Sequence, residues 1–147
     1  MNACRPVRGF TLLELMIVVL VMGIVLVIGA RGFGHFNDSE SLQGATSNIA
    51  DRLRLTRDRA MATRTSQAMK FTAGYAGTDY RVEVGGIYQA GWTLPKRISY
   101  SWTSGTINTV TIGADGRCNT SGLIILKDVR GICDTVSVLS SGLVLTQ

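Results

Sequence analysis

A single carboxylate stands at the edge of a long apolar run near the start of this 147-residue chain. Residues 15–30 contain no charged residue and no proline, and Glu14 comes directly before them. As a helix, residues 10–30 would reach roughly 30 Å, which is the thickness of the hydrocarbon layer of a bilayer. A carboxylate in such a segment costs on the order of 2.5–3.5 kcal/mol at the membrane centre and less near an end. We therefore predict a membrane helix in which Glu14 needs a partner.

Residues that perform catalysis or bind metals do not form a recognisable pattern elsewhere. The chain has one histidine, His35, which we place at the membrane interface or in solvent; a pH switch is the alternative. There is no Gly-x-Ser-x-Gly sequence, no phosphate-binding Gly-Lys-Ser/Thr loop and no closely spaced cysteine pair. We expect neither an enzyme nor a metal or other cofactor.

The residues around Glu14 carry a resemblance to a known processing motif. The sequence GFTLLE at residues 9–14, after two arginines, is similar to that of type IV pilins and type II secretion pseudopilins. The resemblance implies that a prepilin peptidase cleaves after Gly9 and methylates Phe10, and that Glu14 pairs with the N-terminal amine of a neighbouring subunit. An amine and a carboxylate in a low-dielectric layer offset each other's desolvation only when they are paired. The alternative is a plain signal anchor.

The motif and the change in composition divide the chain into four parts. Residues 1–9 are the predicted leader, 10–30 the transmembrane and assembly helix, 31–65 its periplasmic half, and 66–147 a β-rich head. The arginines of the leader predict a cytoplasmic N-terminus. The resemblance implies a single-pass protein of the bacterial inner membrane whose head lies in the periplasm until the subunit is extracted into a fibre.

Two cysteines remain once the leader is removed. In an oxidising periplasm Cys118 and Cys133 would form a disulfide, closing a loop of about 15 residues worth roughly 3 kcal/mol. The alternative is two unpaired thiols, because the sequence does not show that their Cβ atoms face each other.

A second helical stretch is predicted to begin at Asp38, a residue of capping type, after glycines that favour a bend. Arginines along it are interpreted as a solvated face, with an Arg54–Asp58 pair; a phosphate-binding face is the alternative. Three-and-four spacing gives the stretch one narrow apolar or small face suited to packing on a sheet. That face consists of Leu42, Ala45, Ile49, Leu53, Thr56, Ala60 and Thr63.

The rest of the chain has strand-like periodicity. Short β-rich runs separated by Gly, Asn, Asp and Ser predict an antiparallel sheet or sandwich, with a tight turn at Asp115-Gly116. Aromatic residues in these runs are interpreted as cross-strand pairs and core, with base stacking as the alternative. The predicted runs are residues 68–72, 80–84, 87–90, 98–102, 109–112, 123–126, 135–139 and 143–146. The fold class is therefore α+β: a long N-terminal helix followed by an antiparallel β head, as in type IV pilins.

A second resemblance covers the end of the helix and parts of the head. Residues 53–64 (LRLTRDRAMATR), 68–71 (AMKF) and 113–117 (GADGR) are similar to the GspH/FimT family of minor pilins and pseudopilins. Some members act in DNA uptake through a Gly-Arg-x-Arg motif in the C-terminal tail. Here residues 141–145 read Ser-Gly-Leu-Val-Leu, with leucine in place of both arginines. A weak DNA patch would be left to Arg117, Lys127 and Arg130.

The resemblances imply a building block for a fibre. We predict a minor pseudopilin that primes or tips a type II secretion pseudopilus; the alternative is a minor type IV pilin, with DNA binding for transformation. The implied partners are other pilins or pseudopilins, the prepilin peptidase, the inner-membrane assembly platform and membrane lipid. The net charge of +5 is too small to require nucleic acid, which we do not expect as a partner.

Overall fold

The protein has one long helix followed by eight strands. A computed structural model describes residues 10–75 and 77–147, and at residues 30–37 and 73–75 it describes the backbone alone. Gly9, the predicted leader and the side chain of His35 therefore lie outside the described residues. The elements are α1 (Leu12–Thr63), β1 (Gln67–Tyr75), β2 (Thr78–Val84), β3 (Ile87–Trp92), β4 (Ile98–Tyr100), β5 (Thr109–Ile112), β6 (Gly122–Asp128), β7 (Cys133–Val138) and β8 (Val144–Thr146).

Helix α1 is a single element of 52 residues, so the predicted helix start at Asp38 is wrong. Gly32 and Gly34 precede Asp38, and α1 continues through both of them. Each glycine destabilises the helix by about 1 kcal/mol relative to alanine, which is not enough to end it. The Asp38 carboxylate forms ion pairs instead of capping a helix. Its oxygens lie 3.1 Å from Arg97 Nη1 and 4.0 Å from Arg130 Nε.

The first part of α1 has the length and composition of a membrane span. Among the described residues, the candidate span is Leu12–Gly29, with a mean hydropathy of 2.9 and none of it buried. The candidate span lies within residues 10–30, for which a transmembrane segment stays a prediction.

The strands form two antiparallel sheets of four. The first sheet has the order β3-β2-β1-β5 and the second the order β4-β6-β7-β8. Each of the eight predicted β-rich runs overlaps one strand, and β5 has the predicted bounds. Asp115 and Gly116 lie in a tight turn, as predicted: the Gly116 N–H donates to the Gly113 oxygen, and φ of Gly116 is +76°.

One hydrophobic core joins the later part of α1 to both sheets. The chain from Asp38 to Gln147 forms a compact unit of its own. Six of the seven residues of the predicted helix stripe are buried, and Thr63 is exposed where α1 ends. The largest apolar core side chains with less than 2% exposure are Ile49, Leu53, Met69, Phe71, Val110, Ile112, Ile124, Leu126, Val136 and Val138. The predicted architecture of a long helix and an antiparallel β head is confirmed.

Candidate assembly helix and head surface

Glu14 lies in the first turn of α1, with Thr11 as the residue that caps the helix. The Glu14 N–H donates to Thr11 Oγ1 at 3.2 Å, and the Leu15 N–H donates to the Thr11 carbonyl oxygen. Thr-x-x-Glu spacing is the capping-box pattern, in which the acid occupies the third helical position. The positive end of the helix dipole favours a carboxylate here. Sequence reasoning missed Thr11, although this spacing would have identified it.

The surface around Glu14 is apolar and uncovered in the single chain. The large apolar side chains from Phe10 to Ile28 expose between 47% and 81% of their surface. Within the described residues, no ion pair involves the Glu14 carboxylate. This part of α1 therefore requires lipid or other helices to cover it, and its carboxylate is available to a cation from outside the chain.

Arginines of the later part of α1 bind the head instead of pointing freely into solvent. Arg52 stacks over the Trp92 ring at 4.5 Å from its centroid. Arg54 Nη2 donates to the Val144 oxygen at 3.2 Å, and Arg57 Nε donates to the Gly116 oxygen at 3.0 Å. The interpretation as a solvated face is therefore wrong for Arg52 and Arg57, which are half-buried, whereas Arg54 is still 53% exposed. All three fix the helix against β3, β8 and the tight turn.

The ion pair of Arg54 also differs from the prediction. Arg54 Nη1 lies 2.8 Å from Asp51 Oδ1, three residues earlier, whereas Asp58 was the predicted partner. Because Arg54 reaches the Val144 oxygen on the head, its guanidinium is held towards the Asp51 side of the helix. Side chains three apart on a helix are neighbours, as are those four apart.

A cluster of charged groups joins α1 to the β6–β7 hairpin. Arg130 Nε lies 2.8 Å from Asp128 Oδ2 and 4.0 Å from Asp38 Oδ2. Burial raises the pKa of the Asp128 carboxyl. Hydrogen bonds from the Arg130 side chain and from the Ile132 and Arg130 N–H groups outweigh this and hold the pKa below its ordinary value. This cluster fixes the hairpin to the helix.

The three basic residues proposed for a DNA patch do not come together. Lys127 and Arg130 lie near the tip of the β6–β7 hairpin, and Arg130 is engaged by acids. Arg117 lies near the opposite end of β7, because the next residue donates its N–H to the Ser140 oxygen. The prediction that Arg117, Lys127 and Arg130 form one patch is wrong.

The predicted disulfide is also contradicted by the structure. Cys118 is buried and Cys133 exposed, and both are free. Cys133 begins β7, whereas Cys118 donates its N–H to the oxygen of Ser140, seven residues beyond Cys133. That separation along a strand is roughly 20 Å, far beyond the reach of a disulfide. The 15-residue spacing could not show that Cys118 would lie beside the far end of β7 from Cys133.

The aromatic residues mostly pack as cross-strand pairs. Tyr80 and Trp92 are register partners on β2 and β3, with ring centroids 5.5 Å apart. Phe71 lies 6.3 Å from Tyr80 and 6.2 Å from Tyr100. Phe71 and Tyr80 are stacked, as are Tyr80 and Trp92, whereas Tyr100 meets Phe71 edge-on. Tyr80 is buried in the core and Trp92 and Tyr100 pack against it, so the interpretation as cross-strand pairs and core is confirmed for these residues. Tyr88 and Trp102 are exposed, at 45% and 50%.

Comparisons with known proteins agree with this architecture. A family model described as "Prokaryotic N-terminal methylation motif" matches residues 4–30. The fold is similar to that of the type IV minor pilin FimU of Pseudomonas aeruginosa PAO1, seen in two crystal forms. One form gives a TM-score of 0.59 at 16% identity, covering 76% of this chain and 92% of FimU. The other gives 0.57 at 16% identity, covering 72% and 92%. No curated protein sequence matches this chain.

The chain thus carries a prepilin-type methylation motif and has a pilin-like fold with a long apolar N-terminal helix. Residues 4–30 include Gly9, Phe10 and Glu14, which are the residues on which the resemblance was based.

Proposed function

We propose that this chain is a minor subunit of a pilin-type fibre, anchored in the bacterial inner membrane until it is assembled. The observation that carries the proposal is the first part of α1, where an uncovered apolar surface contains the Glu14 carboxylate within the methylation motif. A helix of this kind is covered by lipid before assembly and by the helices of other subunits afterwards. Such contacts repeat along an axis and do not close, which is the geometry of a fibre.

The processing step creates the partner of Glu14. After cleavage behind Gly9, the new N-terminal amine belongs to Phe10, four residues before Glu14. In the low-dielectric layer the amine of one subunit and the Glu14 carboxylate of its neighbour offset each other's desolvation. The pairing selects one axial register between subunits. The prepilin peptidase, the assembly platform and a separate cytoplasmic ATPase supply the processing and the work of extraction.

The experiment compares processing and assembly in variants of the full chain. We expect Gly9→Val to leave the mass of the chain unchanged, because the peptidase no longer cleaves it. We expect Glu14→Ala to be cleaved normally but to enter sheared fibres at least ten times less than the native chain. Glu40→Ala, which removes an exposed acid further along α1, serves as the control. Normal entry of Glu14→Ala into fibres would remove the pairing role, and cleavage of Gly9→Val would remove the processing role.

For the kind of fibre, we propose a type II secretion pseudopilus, in which this chain primes or tips the assembly. The chain lacks both arginines of the DNA-uptake motif, and the three basic residues considered for a DNA patch are apart, with Arg117 near one end of β7 and Lys127 and Arg130 near the other. The second candidate is a type IV pilus, which the likeness of the fold to FimU favours. The subunits that co-purify with this chain distinguish the two.

A further inference from the structure

A groove of about 860 Å³ lies on the head where the first sheet meets the loop between β4 and β5. It is lined by residues 71–72, 102, 106–109, 111 and 120, and we call it the β5 groove. Its volume is within the range of small-molecule sites, about 300–1,000 Å³. All of these residues belong to the compact unit from Asp38 to Gln147, so the groove contains no residue of the apolar surface around Glu14.

Strand β5 supplies two hydroxyl groups to the groove. Val110 and Ile112 are buried in the core, so by alternation Thr109 and Thr111 face away from it. The Thr120 hydroxyl, at the side of the groove, donates to the Thr109 carbonyl oxygen at 3.3 Å. Four other polar side chains of the groove make no hydrogen bond to the described part of the chain: Thr72, Asn108, Thr109 and Thr111. Their hydroxyl and amide groups are therefore available to a ligand.

Trp102 supplies an aromatic wall to the groove. Its ring centroid lies 5.2 Å from that of Tyr100, which itself packs against the core, so the indole is held in place. Even so, Trp102 exposes 50% of its surface. A ring that is held in place and partly exposed offers a ligand a large apolar contact at a small cost in side-chain entropy.

Every described residue that lines the β5 groove is uncharged. Lys70 is the register partner of Thr109, but it does not line the groove, and its Nζ lies 2.7 Å from Glu83 Oε2. In the turn after β5, the Asp115 carboxylate accepts from the Arg117 N–H at 3.1 Å, and neither residue lines the groove.

This lining limits the chemistry of a ligand. A polyanion needs basic side chains at its phosphate groups. A purely apolar ligand would remove water from the hydroxyl and amide groups without replacing their hydrogen bonds. The groove therefore suits an uncharged ligand that combines hydroxyl groups with an apolar face.

We propose that the β5 groove binds a neutral oligosaccharide. A pyranose ring has a face of C–H groups that packs on an aromatic ring, and a rim of hydroxyl groups that both donate and accept hydrogen bonds. Trp102 contacts the C–H face, while the Thr109 and Thr111 hydroxyls and the Asn108 amide bind the sugar hydroxyls. The inference goes beyond the proposed function and does not depend on it, because every residue that it uses lies in the head.

The test is titration calorimetry of the full chain in micelles of a zwitterionic detergent, since a glycoside detergent would compete for the groove. The probes are cellotriose, an unsubstituted glucan, and triacetylchitotriose, its N-acetylated counterpart. A capped, uncharged trialanine peptide is the control ligand. We expect a trisaccharide to bind saturably at millimolar concentration and the peptide to bind at least ten times more weakly. The tighter of the two sugars identifies whether the source is an N-acetylated or an unsubstituted glycan.

Two variants of the full chain test the assignment of the site. Trp102→Ala should weaken sugar binding at least five-fold, because the stacking surface is lost. Thr109→Val/Thr111→Val keeps the shape of the groove and removes two hydroxyls, and it should weaken binding at least three-fold. Tyr88→Ala is the matched control, since it removes an aromatic side chain that is 45% exposed on β3, outside the groove. It should leave the affinity unchanged.

Resistance of the head to protease shows that each variant is folded, and the valine variant decides the question if Trp102→Ala is degraded. The proposal is overturned if neither trisaccharide binds saturably at tens of millimolar, or if the peptide binds as tightly as the sugars. Unchanged affinity in a folded groove variant, or an equal loss in Tyr88→Ala, would mean that the sugar binds elsewhere and overturns it as well.

Discussion

Gly142→Ala is expected to destabilise the head much more than the same change at Gly86. Both glycines have left-handed backbones, with φ of +80° and +83°. A Cβ at Gly86 would meet no heavy atom within 4 Å, whereas one at Gly142 would collide with the carbonyl oxygen of Gly116 and lie 2.9 Å from Arg57 Nε. The turn that joins β7 to β8 is thus packed against the tight turn at Gly116, and a methyl group forces them apart.

The magnitude follows from these contacts. A left-handed conformation costs a residue with a Cβ about 1–2 kcal/mol, and this applies to both variants. At Gly142 the displaced turn also loses the charged hydrogen bond from Arg57 to the Gly116 oxygen, worth roughly 1.5–3 kcal/mol. The expected losses are therefore about 1–2 kcal/mol for Gly86→Ala and about 2.5–5 kcal/mol for Gly142→Ala.

The assay is proteolysis of the full chain in micelles over a urea series, which measures the free energy of unfolding of the head. Replacing glycine by alanine also makes the unfolded chain less flexible, which favours folding by a similar amount in both variants. This contribution therefore cancels when the stability losses of the two variants are compared. Equal losses in Gly142→Ala and Gly86→Ala would refute the close packing of the two turns and the role assigned to Arg57.

Three further predictions concern charge. Hydrogen bonds from Lys70 and Arg81 hold the pKa of the Glu83 carboxyl below its ordinary value of 4.5. The stability that these bonds give the folded head is therefore complete above about pH 4.5 and is lost as the pH falls through the folded-state pKa. Acid titration of head stability should show a smaller loss in Glu83→Gln than in the native chain, and the loss that remains includes that of Asp128, whose pKa is also lowered. Arg52→Ala should cost roughly 1 kcal/mol and change the tryptophan fluorescence through loss of its stacking on Trp92, with Arg59→Ala as the control. The full chain should show no DNA binding at low salt; binding that falls steeply with salt would contradict the separation of its basic residues.

Periodicity was sufficient to predict most of the fold. The helix stripe from Leu42 to Ala60 and the eight β-rich runs follow from local spacing. Apolar residues that face the core recur every three or four positions in a helix and every second position in a strand. The helix start at Asp38 was predicted wrongly, since capping residues also form ion pairs and only the tertiary structure decides which.

Contacts between distant parts of the chain could not be predicted from the sequence. The spacing of Cys118 and Cys133 permitted a disulfide, but the strand order separates them. The arginines of α1 were interpreted as solvated because a helical pattern does not show which carbonyl groups of the head lie within their reach. Which side chains of the second sheet face away from the core likewise depends on the register of β6, β7 and β8.

The central claim is that this chain is a subunit of a pilin-type fibre, and its partners test it most directly. The full chain would be cross-linked in its native membranes, purified, and the attached proteins identified by mass spectrometry. We predict other pilin-type subunits, with secretion pseudopilins and their platform for a pseudopilus, or a major pilin and its retraction motor for a pilus. Recovery of no pilin-type subunit, in cells where such a fibre is assembled, would contradict the claim.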